Sequence, residues 1–259
     1  MRVNSVVEYV AAVDRLISEW TPKGEDWYVQ PWFRGHGDAA WALEPGAYRQ
    51  PRGTRASDRD YYTESELLSQ FKLRAPMFLE RIPASDWEWL FLMQHYGLMT
   101  RLLDWTDGSL IALYFAVRDN DGTTDAAVWA MSPWWLNKQT TGKYDLFRAD
   151  DPLANGLAPR ADAKPLRGRL PLAIRPIHAN ARIVAQRGAF TIHGTERGAL
   201  DRLAARRGRS KTCLSRIRIP RECVSEIRRE LSISGINESL VFPELSGLCR
   251  ELKADFTGR

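Results

Sequence analysis

The stretch Met93–Ala116, MQHYGLMTRLLDWTDGSLIALYFA, places a histidine, an arginine and an aspartate between residues that suit a buried core. Charged side chains are rarely buried without partners, so His95, Arg101 and Asp104 need a polar explanation. The apolar positions indicate scaffold, because Gly97 is placed to end one helix and GSLIALYFAVRD predicts the next. The three polar residues therefore belong either to a reactive site or to a network that only holds the fold together.

Segments on both sides of this stretch carry helical and strand patterns. SVVEYVAAVDRLISEW predicts a helix over residues 4–20, and Ser85 with Glu88 makes a capping box for a helix that ends near His95. Strand patterns occur in five segments: WYVQPWFRG, AAVWAMS, LPLAIRP, GAFTIHG and TCLSRIRIP. Residues 137–170 are rich in proline, glycine and charge, which predicts a long loop that could form a lid.

The order of these patterns predicts the fold class. Helical patterns lead in the first half of the chain and strand patterns gather in the second, so we expect an α+β fold. We expect a single compact domain over residues 1–259, with a helix-rich N-terminal half and a mixed or antiparallel sheet built largely from the C-terminal half. No G-x-G-x-x-G or P-loop pattern follows a predicted strand, which argues against the common nucleotide-binding sheets.

Composition narrows the possible functions. The 259 residues contain no apolar run long enough to span a bilayer and no secretory leader, so we expect a cytoplasmic protein. The three cysteines and four histidines lack metal-ligand spacing, and we expect no metal. The net charge is +5, and basic residues concentrate after residue 160. That pattern is typical of nucleic-acid partners or of a solvated loop, and both interpretations stay open.

Five motifs follow one another along the chain: WFRGHGD (32–38), LEPGAYR (43–49), QHYGLMTRLLDWT with ALYFA (within 93–116), AQRGAFTIH (185–193) and SLVFPELSGL (239–248). In this order and spacing they resemble the FRG domain family, which is named for its Phe-Arg-Gly motif. One departure is Met99, where the family usually has proline. The resemblance covers nearly the whole chain, and it implies a domain whose bacterial members are thought of alongside defence and toxin systems.

Four polar residues in the first half of the chain are candidates for a site. Arg34 ends a predicted strand before a glycine, where its guanidinium could clasp a phosphate or pair with a buried carboxylate such as Asp104. Arg101 and Asp104 could instead pair with each other, or with groups across a cleft. His95 could be a base, a donor to a ligand, or a core histidine bonded to a backbone carbonyl.

Three further candidates lie in the second half. Arg182 and Gln186 are four residues apart, on one face of a predicted helix, and Gly188 after them lets a ligand approach closely. Glu244 begins the last predicted helix, where an acid is fully explained as a helix-end device unless it faces a cleft.

The candidate set is weakly similar to that of the ADP-ribosyltransferase family. Arg34 would match the early arginine that helps to hold NAD, TDGSLIALYFA the middle segment, and Glu244 the late acid that supports an oxocarbenium-like transition state. Two features depart from that family: the Ser-Thr-Ser triplet is missing, and Glu244 precedes a helix although the family's acid normally lies on a strand.

These resemblances imply an enzyme that cleaves NAD and transfers ADP-ribose to a nucleic acid or a protein, as a toxin or anti-phage effector. Arg34 and Arg101 would hold the diphosphate, Asp104, Arg182 and Gln186 would help to bind the ligand, His95 would orient a ribose hydroxyl or act as a base, and Glu244 would stabilise the transition state. The partners would be nucleic acid, through the basic C-terminal half, and an antitoxin or other defence protein. The alternative is a non-catalytic sensor module that binds a nucleotide or nucleic acid through the same arginines.

Overall fold

A computed structural model describes residues 1–49, 61–158, 170–176, 181–206 and 214–257. In this part of the chain, strands form one seven-stranded sheet. The strands are β1 (Trp32–His36), β2 (Leu102–Thr106), β3 (Ala126–Met131), β4 (Phe147–Arg148), β5 (Leu172–Arg175), β6 (Gly188–Ile192) and β7 (Leu214–Ile219). Their order across the sheet is β4-β5-β6-β2-β1-β3-β7, and all neighbours are antiparallel except β4 and β5.

Helices surround this sheet, so the predicted α+β class is confirmed. They are α1 (Val6–Trp20), α2 (Tyr61–Arg74), α3 (Asp86–His95), α4 (Ser109–Val117), α5 (Pro133–Thr141), α6 (Pro152–Asn155), α7 (Ala181–Ala185), α8 (Leu200–Arg206), α9 (Val224–Ile233), α10 (Glu238–Val241) and α11 (Leu245–Thr257). Two of them begin at serine caps: the side chains of Ser5 and Ser85 each accept a hydrogen bond from the backbone N–H three residues on.

Four of these seven strands, β4 to β7, come from the C-terminal half of the chain, in agreement with the predicted sheet. The middle strand, β2, and its neighbour β1 come from the first half of the chain, whereas β6, on the other side of β2, comes from the second. β2 lies inside the stretch from Met93 to Ala116, where the sequence predicted only the end of one helix and the start of another. The short apolar run LLDWT becomes a strand because β6 pairs with it along its whole length, from Leu102–Ile192 to Thr106–Gly188.

The predicted loop at residues 137–170 also differs from the structure where it is described. Residues 137–141 complete α5, and β4 and α6 follow. The side chain of Asn137 is buried and donates to the carbonyls of Asp145 and Ala173, at 2.8 and 3.0 Å. This anchor attaches the segment to β5, whereas residues 159–169 lie outside the described part.

Two groups of helices cover one face of the sheet. Phe33 pairs with Thr106 across β1 and β2, so the side chains of these two residues share a face. On that face α1, α4 and α9 pack over β1, β3 and β7, and α3 packs over β2, β6 and β5. The opposite face is buried under α5 and α8. The space between α3 and α4 lies above the middle of the sheet. In the described residues, no helix is long and apolar enough to cross a membrane.

Candidate nucleotide-binding cleft

A cleft of about 300 Å³ opens in this space, and we call it the central cleft. It is lined by Phe33, Arg34, Gly35, Gly37, Trp41, Gln94, Asp104, Trp105, Thr106, Phe115, Arg182 and Gln186. Its walls therefore come from β1, β2, the end of α3, α4 and the α7 segment. Two guanidinium groups, one carboxylate and two amides meet there beside the exposed ring of Trp41 and the half-buried ring of Phe115, which is the mixed lining expected of a small-molecule site.

Arg34 and Asp104 form the polar floor of the central cleft. Nη1 of Arg34 donates to the backbone carbonyl of Asp104 at 2.7 Å, and it lies 3.4 Å from Oδ2 of the same residue. The Asp104 carboxylate also accepts from Nε2 of Gln94 at 2.8 Å, yet about half of its side chain is exposed. Burial lowers the pKa of Arg34, and the neighbouring Asp104 carboxylate acts in the opposite direction. The carboxylate is thus held in place from two sides while its free surface faces the cleft.

His36 holds the guanidinium of Arg34 in position through a hydrogen bond. The two residues are two apart on β1, so their side chains share a face, and Nε of Arg34 donates to Nε2 of His36 at 3.1 Å. This contact requires a neutral imidazole with its proton on Nδ1. Burial, with a smaller contribution from the Arg34 charge, lowers the pKa of His36 to about 3, which agrees with that requirement.

Each residue of the Phe-Arg-Gly sequence, Phe33 to Gly35, has a different role in the structure. Phe33 is buried in the core under α1 and α4, and Arg34 turns into the central cleft. Gly35 lies directly against α4, because a Cβ at this position would be 2.1 Å from the carbonyl oxygen of Ala112 and 2.5 Å from the backbone nitrogen of Ala116. Only glycine lets the helix approach the strand this closely, and this approach places Phe115 of α4 at the wall of the cleft.

Arg182 and Gln186 close the cleft from the α7 side. The guanidinium of Arg182 stacks over the ring of Phe242 at 4.6 Å, and Nε2 of Gln186 donates to the carbonyl of Val241 at 3.3 Å. Nη1 of Arg182 lies 4.0 Å from the Glu244 carboxylate. The structure therefore brings Arg34, Asp104, Arg182 and Gln186 together in one cleft, from elements far apart in sequence.

Glu244 and His95 are near this cleft but are not among its lining residues. Glu244 directly precedes α11, as the sequence predicted, and its backbone carbonyl accepts from the N–H groups of Gly247 and Leu248. His95 ends α3. Burial lowers its pKa and the charge of Arg182 lowers it further, whereas Glu244 raises it. His95, Arg182 and Glu244 thus form an electrostatically coupled group at the rim.

Arg101 is placed elsewhere, contrary to the expectation that it would hold a ligand. Its side chain is only 1% exposed, and Nε donates to the Glu64 carboxylate at 2.5 Å. Its two terminal nitrogens donate to the carbonyls of His193 and Leu157, at 2.8 and 2.9 Å. A guanidinium with its donors engaged inside the core joins α2, β2 and the segment after β6, and it presents nothing to a ligand.

Gln94 and Trp41 also contribute to the cleft, although neither was a candidate site residue. Gln94 orients Asp104 and accepts from the hydroxyl of Thr100 at 2.5 Å, and Trp41 contributes an exposed ring. The only sequence signal for Gln94 was its place beside His95 in the motif QHYGLMTRLLDWT, since a neutral amide has no distinctive chemistry of its own. In the described residues, no group of three histidine, cysteine, aspartate or glutamate side chains could hold a metal ion.

Comparison with known proteins supports the motif-based assignment. Residues 30–125 match the FRG domain family model, a range that contains β1, α3, β2 and α4, and thus most of the cleft walls. No curated protein and no solved structure matches the chain, and the resemblance to ADP-ribosyltransferases is not confirmed. The motifs at 185–193 and 239–248 lie outside the matched range. The chain therefore carries an FRG domain over residues 30–125.

Proposed function

We propose that the central cleft binds a nucleotide through its phosphate groups, that the nucleotide is NAD, and that the domain transfers ADP-ribose from it. The observation that carries this proposal is that Arg34 and Arg182 line the same cleft as the partly exposed Asp104 carboxylate. Guanidinium groups suit phosphate oxygens, a carboxylate suits ribose hydroxyls, and the rings of Trp41 and Phe115 offer faces for a base.

The size of the cleft limits how much of such a ligand it could enclose. A volume of about 300 Å³ is at the lower end of the range for small-molecule sites. It suits one nucleotide half of NAD, and the rest of the molecule would extend toward the rim where Arg182 lies. The diphosphate would then run between Arg34 and Arg182.

In the proposed reaction the bond between the nicotinamide ring and C1′ of its ribose breaks, and nicotinamide leaves with the electron pair. The carboxylate closest to the resulting oxocarbenium-like centre would be Asp104, because it lies in the cleft and Glu244 does not. An acceptor then forms a bond to C1′ and loses a proton. Neutral His95 at the rim is the group we propose to receive that proton, since its pKa is lowered.

The acceptor in this proposal is a nucleic acid or a protein. Several C-terminal arginines already have carboxylate partners, including Arg218 with Asp125 and Arg229 with Glu226. The remaining basic residues at 159–169 and 207–213 lie outside the described part of the chain. A defence or toxin role, with an antitoxin or similar partner, would follow from such an activity.

A second candidate is a non-catalytic nucleotide sensor. The observation that favours it is the engagement of the cleft carboxylate: Asp104 accepts from Gln94 and lies against Arg34, an arrangement that suits a fixed binding surface as well as catalysis. Both candidates need the same arginines, so they differ only in turnover.

The test measures NAD binding by calorimetry and nicotinamide release by chromatography, with nucleic acid and cell lysate as acceptors. Arg34→Gln should weaken binding at least tenfold, because the guanidinium would contact phosphate directly. Arg229→Gln, which removes an exposed arginine on α9 paired with Glu226, is the matched control and should bind as the wild type does. Absence of NAD binding to the wild-type protein would refute the proposal.

Asp104→Asn separates the two candidates. An enzyme should lose nicotinamide release and keep most of its NAD affinity, because the carboxylate acts mainly on the transition state. A wild-type protein that binds NAD and releases no nicotinamide with any acceptor would be the sensor instead.

A further inference from the structure

Of the two arginines in the central cleft, Arg182 makes fewer hydrogen bonds to the described residues than Arg34 does. Arg34 is held by hydrogen bonds to His36 and Asp104. Among the described residues, by contrast, no hydrogen bond engages the guanidinium of Arg182, which stacks on Phe242 and has its nearest carboxylate oxygen at 4.0 Å. With about a third of its side chain exposed, Arg182 has donors available to a ligand.

The carboxylate at 4.0 Å belongs to Glu244, whose backbone and side chain are held very differently. The backbone carbonyl accepts from two N–H groups at the start of α11, which fixes the position of the residue. The side chain is 39% exposed, and in the described part of the chain its recorded hydrogen bond is a long one, from Ser246 at 3.4 Å. The carboxylate can therefore rotate away without disturbing the helix.

Neighbouring charges make Glu244 the natural partner of Arg182. Arg118 and Arg250 lie over the same Phe242 ring, at 4.6 and 5.2 Å, and both donate to Glu238. Three guanidinium groups thus surround one ring, and Glu238 already serves two of them. Glu244 is left to balance Arg182.

We infer that Glu244 is an internal competitor for the anion site at Arg182, so that a phosphate-bearing ligand must displace its carboxylate to engage the guanidinium. This inference rests on the proposed function, because it assumes that the cleft takes phosphate groups. It gives Glu244 a role opposite to that of a catalytic acid: the residue sets how tightly the cleft binds and keeps Arg182 occupied when no ligand is present.

The experiment measures the affinity of the full chain for inorganic pyrophosphate by calorimetry, at low and at high salt. Glu244→Gln should bind about two- to fivefold more tightly than the wild type, the range expected when a partly exposed ion pair no longer competes. The gain should shrink at high salt, because screening weakens the pair that is removed. Glu226→Gln removes the same charge from an exposed position on α9 and should leave the affinity unchanged.

A second variant isolates the pair itself. In an Arg182→Gln background, Glu244→Gln should no longer change pyrophosphate affinity, because the guanidinium for which the carboxylate and pyrophosphate compete is absent. Equal affinities of Glu244→Gln and Glu226→Gln, or weaker binding by Glu244→Gln, would overturn the inference while the proposed function stands. If neither the wild type nor Glu244→Gln binds pyrophosphate or NAD, both ideas fail.

Discussion

Replacement of Arg101 by methionine tests whether this arginine is part of the core or part of the site. The substitution leaves the Glu64 carboxylate, with a side chain only 2% exposed, without its cation, and it removes donors from the carbonyls of Leu157 and His193. Breaking a buried ion pair from one side costs about 3–5 kcal/mol, and each buried acceptor without a donor costs about 1–3 kcal/mol. Because these costs overlap, we expect the free energy of unfolding to fall by about 4 kcal/mol.

Urea unfolding followed by tryptophan fluorescence gives this free energy directly. Arg229→Met, which breaks an exposed pair, should change it little. The double variant Arg101→Met, Glu64→Leu should recover part of the loss, because it removes the unpaired buried charge. The reasoning would be refuted if Arg101→Met unfolded within about 1 kcal/mol of the wild type, or if its folded form lost affinity for pyrophosphate.

Three other perturbations follow from the same contacts. Gly35→Ala should lower the free energy of unfolding by more than about 2 kcal/mol, because its Cβ would clash with the α4 backbone, whereas Gly46→Ala, with its nearest neighbour at 3.7 Å, should be tolerated; thermal unfolding distinguishes them. In the folded protein burial lowers the pKa values of His36 and His193 to about 3. As the pH falls below 6.5, these histidines therefore bind protons in the unfolded chain before they do so in the folded protein. The stability that the two neutral histidines support is fully present above pH 6.5 and is lost toward pH 3. Between pH 6.5 and 5, protonation of each histidine in the unfolded chain should lower the free energy of unfolding by about 2 kcal/mol. Urea unfolding of His193→Asn should show a smaller loss of this free energy with falling pH, and a pH dependence equal to that of the wild type would contradict this. Glu238→Gln should destabilise by about 1–3 kcal/mol, because Arg118 and Arg250 both donate to this largely buried carboxylate, and denaturant midpoints equal to the wild type would count against that role.

Elements specified by local signals were predictable. The helices beginning after Ser5 and Ser85 follow their capping residues, and the strands β3, β5, β6 and β7 lie within segments whose patterns predicted them. These signals act over one or two turns, so they need no knowledge of the rest of the chain. β2 had no such signal, because a five-residue apolar run is compatible with either a buried strand or the flank of a helix.

The site was predictable only as a set of residues. Arg34, Asp104, Arg182 and Gln186 were all candidates, and the structure brings them to one cleft, but nothing in the sequence distinguished Arg34 from Arg101. Both precede apolar or small residues and both lie in motifs of the FRG domain family. Glu64, in α2, takes Arg101 into the core, while strand pairing leaves Arg34 at an opening between two helices.

The sequence by itself determined the α+β class, the positions of the elements with strong local signals and the presence of an FRG domain, because caps, periodicity and motifs are local properties of the chain. The tertiary structure decided which charged groups are buried and which face a ligand. The physical reason is that the fate of a charge depends on its partners: Glu64 for Arg101, and the carbonyl and carboxylate of Asp104 for Arg34, come from segments far away along the chain.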